Sequence, residues 1–309
     1  MAEARGVMGT RLLGFGEAEA LRAEAGLWLR RGERDRARAC LREARALAEA
    51  QGARALELRA LAELVALDGD GEPAAALRAL YRGLAEGHAL ADLDDARAQL
   101  AALPCARNVE AAEAYVLGRL RAELSPRLTY HDLAHTRDDV VPAVKRLAAR
   151  QRRSARELEL VVTAAWFHDL GFIECRDGHE QVGIRIAREV LPALGYAADD
   201  LAAIAAIIEA TRLPQTPTSE LAELLADADL DVLGRPDFFV KNERLRAELI
   251  AAGRDVPLAT WRLDQHAFVQ RHRYFTAVAR ELRDAGKRAN AEAIAAAIAA
   301  DAAAEPGPR

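Results

Sequence analysis

Residues 158–172 read LELVVTAAWFHDLGF, and the fold follows from that stretch. Leu158, Val161, Val162 and Ala165 recur at helical spacing, which predicts an α-helix with one apolar face turned to a core. Continuing that face leads directly to His168 and Asp169. An ionised carboxylate on a buried face is costly unless a cation or good donors compensate it. A bound metal ion is the simplest compensation, and it makes the chain an enzyme candidate.

Two other segments offer partners. Tyr130-His131-Asp132-Leu133-Ala134-His135 spaces two histidines at i and i+4, one face of an expected helix and suited to chelation. Asp229 lies one turn from both Leu225 and Leu233, bordering the stripe of Leu221, Leu225, Ala228 and Val232. Asp227 and Asp231 point farther from that stripe and are expected in solvent. Imidazoles and carboxylates together suit a divalent cation between borderline and hard character. Taken singly, each residue reads more readily as an ordinary polar group on a helix edge. Four of them on apolar helices point to a shared partner.

The ordered set of His135, His168-Asp169 and Asp229 resembles the HD superfamily of metal-dependent phosphohydrolases. The similarity extends to Tyr130-His131 upstream, Gly178-His179-Glu180 downstream and Ala226-Asp227-Ala228-Asp229 beyond, over about residues 107–300. It implies an all-α domain around one or two metal ions and hydrolysis of phosphate esters by metal-activated water. His135, His168, Asp169 and Asp229 would be the ligands, with Asp169 also orienting the water. The donor set allows Mn, Fe, Co, Zn or Mg, and the histidines make a site for Mg alone the least suitable. Superfamily members with two metals carry further histidines between the His-Asp pair and the last aspartate. His179 resembles the first of these, but Ile204 to Arg212 holds no second. One metal is therefore expected rather than two. His179 and Glu180 become proton-transfer or substrate-contact candidates; the alternative for His179 is a loop histidine beside a helix start. His131 is read as supporting the ligands.

Arg244, Arg262 and His272 are the candidates for phosphate or leaving-group contacts, since arginine offers a bidentate fork. With 43 Lys and Arg against 48 Asp and Glu, most basic residues are simply solvated helix faces.

The chain before about residue 105 reads differently. Leu21, Ala25, Trp28, Gly32, Ala37, Leu41 and Ala44 fall at tetratricopeptide-like spacing. Ala60, Leu64, Leu67, Gly71, Ala76, Leu80 and Gly83 repeat those offsets 39 residues later. With residues 44–60, 85–88 and 92–98, this region looks like the closing repeats of bacterial regulators and nucleotidyl cyclases built on tetratricopeptide arrays. Two units and a further helix to about Leu103 fall short of the three repeats an array normally needs. Docking on the following domain, self-association or a protein partner is the expected use, unless the units are a fragment of a longer ancestral array.

The expected fold class is all-α: an HD-type helical domain at 105–301, preceded by tetratricopeptide-like helical hairpins at 17–104. Pro104 marks the boundary, and residues 1–16 and 302–309 are expected to be disordered. Alanine-rich helices and only 5% aromatics support this class. A net charge of −5 leaves no basic footprint for broad nucleic-acid binding. Cys40, Cys105 and Cys175 lack metal or disulfide spacing and fit a reducing cytoplasm. No run of 18 apolar residues or leader-like start appears, so neither export nor membrane spanning is expected. The expected activity is hydrolysis of a small phosphate ester, a nucleotide or cyclic nucleotide. The alternative is a non-catalytic metal- or ligand-binding scaffold or sensor.

Overall fold

In a computed structural model, the described residues are 2–69, 71–82, 95–96, 98–100 and 107–304. Among them the secondary structure is helical and no strand occurs, as the all-α reading expects. No described helix is long and apolar enough to cross a membrane. The chain divides into two compact units, one of Met1–Asn108 with Arg188–Leu201 and one of Val109–Ala187 with Ala202–Arg309. The sequence boundary at Pro104 lies outside the described residues, as do Cys105 and the stretch 85–88. That Arg188–Leu201 joins the first unit has no local signature in the sequence.

The first unit opens with α1 (Ala2–Arg30), α2 (Arg34–Ala50), α3 (Arg54–Asp68) and α4 (Glu72–Arg82), each packed on the next. Helix α1 begins at Ala2, inside the segment 1–16 read as disordered; its Ala, Glu, Arg and Leu content favours helix. The tight turn after α2 places Gly52 at φ +66°, a conformation that glycine adopts without strain. Ala25, Ala37, Leu41, Leu64 and Leu67 form one core cluster. Leu58, Leu61, Val65, Leu77 and Tyr81 form a second, joined by Ala96, Leu100 and Ala193. Within the same unit the Tyr81 hydroxyl donates to the Glu189 carbonyl at 2.6 Å.

The second unit begins with α5 (Val109–Glu123). A π-helical turn, His135–Val140, then runs directly into α6 (Val141–Arg150), and α7 covers Ala155–Phe167. A capping box starts α7: Ser154 Oγ accepts the Glu157 N–H, and the Glu157 carboxylate accepts the Ser154 N–H at 2.8 Å. From Leu160 to Phe167 every residue of α7 is buried, so the helix is enclosed all round, by α5, α6 and the later α10 (Glu220–Asp229), and not amphipathic as its spacing suggests. Leu158, assigned to the core face, is 36% exposed near the helix start. Between α7 and α10 run α8 (His179–Val190) and α9 (Ala198–Glu209). After α10 come α11 (Phe238–Ala251), α12 (Leu258–Arg271) and α13 (Ala277–Ala304). Leu233, Phe238, Val269 and Ile294 pack a core among these last helices.

Two glycines set how closely the site segments approach. A Cβ on Gly171 would stand 2.0 Å from the His179 carbonyl oxygen, and one on Gly183 would stand 2.5 Å from that of Phe167. Only glycine lets the backbone after Asp169 lie against the start of α8.

Candidate metal centre

Helix α7 delivers His168 at its C-terminal cap, with Asp169 as the next residue. His135 opens the π-helical turn, a distortion that recurs at functional sites, and Asp229 closes α10. The side-chain ligand atoms of His135, His168 and Asp169 all lie within 4.8 Å of one another, and all three residues are buried. Asp229 Oδ1 stands 3.3 Å from His135 Nε2 and 3.6 Å from His168 Nε2. Four residues spread along the sequence thus converge.

The donor set fits a cation. His168 Nδ1 donates to the Ala165 carbonyl at 2.7 Å, which turns Nε2 towards the carboxylates as the atom that holds either a proton or a cation. That Nε2 and Asp169 Oδ2 lie 3.3 Å apart, within ion-pair distance, and both atoms are buried without a hydrogen-bond partner. Buried polar atoms are rarely left so. A divalent ion among His135, His168, Asp169 and Asp229 would satisfy both. The electrostatics agree. Burial alone would depress the His168 pKa, but Asp169 and Asp229 raise it well above the usual imidazole value. Burial also opposes ionisation of Asp229, yet His135 and His168 hold its carboxyl at about 2. The carboxylates therefore create a strongly cation-seeking hole.

His179 begins α8, with Nδ1 bonded to the Arg176 carbonyl at 2.8 Å and Nε2 3.4 Å from Asp169 Oδ1. Asp169 thus offers one oxygen to His135 and His168 and the other to His179. Glu180 is buried, its carboxylate 3.7 Å from His179 Nδ1. The Phe172 ring stacks on both His179, at 4.0 Å between centroids, and His131, at 4.4 Å. His131 itself is not on a helix with His135. It lies in the bend before the helix begins, where its Nδ1 bonds Glu248 Oε1 at 2.7 Å. The i, i+4 chelating pair is therefore replaced by a supported histidine beside the site.

Asp227 and Asp231, expected in solvent, are both buried. Asp227 accepts the N–H groups of Phe275 and Thr276 at 2.7 and 2.8 Å, capping the start of α13. Asp231 pairs with Arg283 at 2.7 Å and Arg146 at 2.9 Å. Helical periodicity shows which residues share a face but not which distant donors meet them.

A cavity of about 520 Å³ opens at the centre. Asp169, His179 and Asp229 line one part, and Leu245, Leu249, Trp261 and Phe268 an apolar part. Its basic residues are Arg176, Arg212, Lys241 and Arg254. Arg244, Arg262 and His272 are not among the lining residues. Arg244 is exposed, Arg262 pairs with Asp301, and His272 packs edge-on to Tyr274 with burial pushing its pKa down to about 4. Sequence reasoning missed Arg176, Lys241 and Glu248. Spacing alone held a hint, since Lys241, Leu245, Glu248 and Leu249 share one face of α11.

The HD domain family matches residues 143–231, a span that contains His168, Asp169 and Asp229 and begins after His135. No curated protein gives a significant match. Among solved structures, the crystal structure of a protein from Lactobacillus plantarum is similar at 23% identity and a TM-score of 0.39, covering 62% of this chain and 91% of that one. With the buried His/Asp group in place and helices throughout the described residues, the fold is all-α with an HD domain at residues 143–231, the domain of a superfamily of metal-dependent phosphohydrolases.

Proposed function

We propose that this protein hydrolyses a phosphate ester, a nucleotide or cyclic nucleotide, using one divalent cation held by His135, His168, Asp169 and Asp229. The observation that carries this reading is the pair of buried atoms without a hydrogen-bond partner, His168 Nε2 and Asp169 Oδ2, beside a cavity large enough for a small ester. A cation bound there would supply a water of lowered pKa and offset charge on the phosphoryl group. Asp169 Oδ1, the oxygen turned away from His135 and His168, would orient that water or take its proton. His179 Nε2, within reach of the same oxygen, shares the proton, and Glu180 stands behind His179. A single cation is favoured because, among the described residues, Asp169 Oδ1 has His179 alone as a metal-type neighbour within ion-pair distance.

The apolar part of the cavity supports an organic group with a ring. There the Trp261 indole N–H donates to Asn242 Oδ1 at 2.7 Å, and Asn242 Nδ2 donates to Gln265 Oε1 at 2.5 Å. Amides beside an aromatic wall suit a nucleobase. The hairpins of the first unit, read as tetratricopeptide-like, would serve a protein partner or self-association. Thiols free of disulfides at Cys40 and Cys175 suit the cytoplasm.

The test is metal content by elemental analysis for wild type and Asp169→Ala, with phosphate or nucleoside release from a nucleotide panel supplied with Mn. Near-stoichiometric metal and turnover of a nucleotide, both lost in the variant, are expected. Turnover that survives Asp169→Ala would overturn the assignment.

A further inference from the structure

Glu248 lies on α11 with a fully buried side chain, and four donors converge on its carboxylate. Oε2 accepts the backbone N–H groups of Tyr130 and His131 at 2.8 and 2.9 Å. Oε1 accepts from His131 Nδ1 at 2.7 Å and from Arg176 Nη2 at 2.6 Å. A buried ionic group of this kind is weak evidence for stability, so its role is better sought in what it arranges. One carboxylate ties together the bend before the π-helical turn, the loop after Asp169 and a helix of the cavity wall.

Arg176 is the group most constrained by this tie. Its guanidinium carbon sits 5.5 Å over the Phe172 ring, and the side chain is 24% exposed. Five N–H donors fan from a guanidinium, and Glu248 is the one acceptor for them among the described residues. The other basic residues of the cavity differ. Lys241 is paired with Asp139, Arg212 reaches Glu209 at 3.5 Å, and Arg254 is 59% exposed. Arg176 alone combines a fixed orientation with open donors, on the wall that Asp169 and His179 share.

We infer that Arg176 anchors the phosphoryl oxygens that the metal ligands' cation does not hold, and that Glu248 is a positioning residue that aims its fork into the cavity. This rests on the phosphohydrolase reading. Glu248 occupies one edge of the guanidinium and leaves another for two phosphoryl oxygens, the bidentate geometry for which arginine is suited. His131, locked to the same carboxylate and stacked on Phe172, fills the space behind.

The experiment measures inorganic phosphate binding to the full-length, Mn-loaded chain by calorimetry, with metal content as control. Arg176→Ala should weaken phosphate about tenfold or more at unchanged metal content. Arg176→Lys should recover only part of that loss, because an ammonium lacks the fork. Glu248→Gln should also weaken phosphate, but by less than about twofold once Arg176 is already alanine. With p-nitrophenyl phosphate, both single variants should raise KM more than they lower kcat. Should Glu248→Gln fail to fold, Glu248→Asp takes its place. Equal losses from the Glu248 variant in both backgrounds would reduce Glu248 to a structural role and overturn the inference. Unchanged phosphate affinity in Arg176→Ala, or no phosphate binding by wild type, would overturn it as well. Phosphate binding that depends on Arg176 without turnover of any ester would sink the hydrolase reading and leave the anchor standing. Turnover indifferent to Arg176 would do the reverse.

Discussion

The helices before residue 83 and those after residue 108 draw on the same residue types, yet they bury different things. In α1–α4 the buried side chains are apolar, among them Ala25, Leu41, Leu61, Leu64 and Leu77, while charges pair at the edges, as Arg22 does with Glu63 at 2.7 Å. The second unit buries His135, His168, Asp169, Glu180, Asp227, Asp231 and Glu248. In the first region each buried group contributes by removing apolar area from water, and a substitution is felt roughly in proportion to lost volume. In the second, buried groups depend on one another. Removing one leaves the rest without compensation.

The sharpest way to break this contrast is His168→Ala. It should abolish metal binding and lower any ester hydrolysis by more than about a hundredfold, with α1–α4 still folded. Elemental analysis, turnover and circular dichroism of the one preparation check all three. Metal retained at wild-type stoichiometry would remove the claim that the second unit's buried polar groups share a cation.

Leu64→Ala probes the other side. Leu64 is fully buried, so the change should cost about 2–5 kcal/mol in denaturant unfolding while leaving metal content untouched. A loss of metal in this variant would show that the two regions are not separable in function.

Acid should distinguish the regions next. Burial opposes ionisation of Glu248, but the bonds from His131, Arg176 and the Tyr130 N–H hold its carboxyl at about 2, against an ordinary 4.5. A depressed pKa contributes stability that is present above the ordinary value and is lost as pH falls towards the folded one. Between pH 4.5 and about 2 the second unit should therefore weaken, by on the order of 2 kcal/mol from this group. Glu248→Gln should flatten that part of the stability profile, measured by thermal melts against pH. An unchanged slope would mean that Glu248 is not ionised in the fold.

The smallest effect expected is at Gly52, where a Cβ meets nothing within 4 Å but φ is +66°. Gly52→Ala should cost only about 1 kcal/mol, the backbone strain alone. A much larger loss would reveal packing at the turn beyond the described contacts.

Much of the candidate centre was legible because it interrupts apolar patterns. His168 and Asp169 continue the α7 face, and Asp229 borders that of α10, so their burial could be expected from spacing. The all-α class was legible for the same reason, with alanine-rich helices punctuated by glycine turns. Asp227 and Asp231 were misplaced in solvent because their compensating groups, the Phe275 and Thr276 N–H groups and Arg283, come from a helix some fifty residues on. Arg244, Arg262 and His272 were plausible by type alone. Which arginines reach the cavity depends on where α11 and α12 lie, and no local pattern encodes that.

By itself, the sequence determined that the chain is built of helices and that His168, Asp169 and Asp229 interrupt their apolar faces. Such information is local, since helical period and turn chemistry act over a few residues. Tertiary structure alone decided that Glu248 meets Tyr130, His131 and Arg176, and that Asp169 turns one oxygen to His168 and the other to His179. Hydrogen bonds of under 3 Å between groups 72 to 118 residues apart require the chain to be packed before any of them can form.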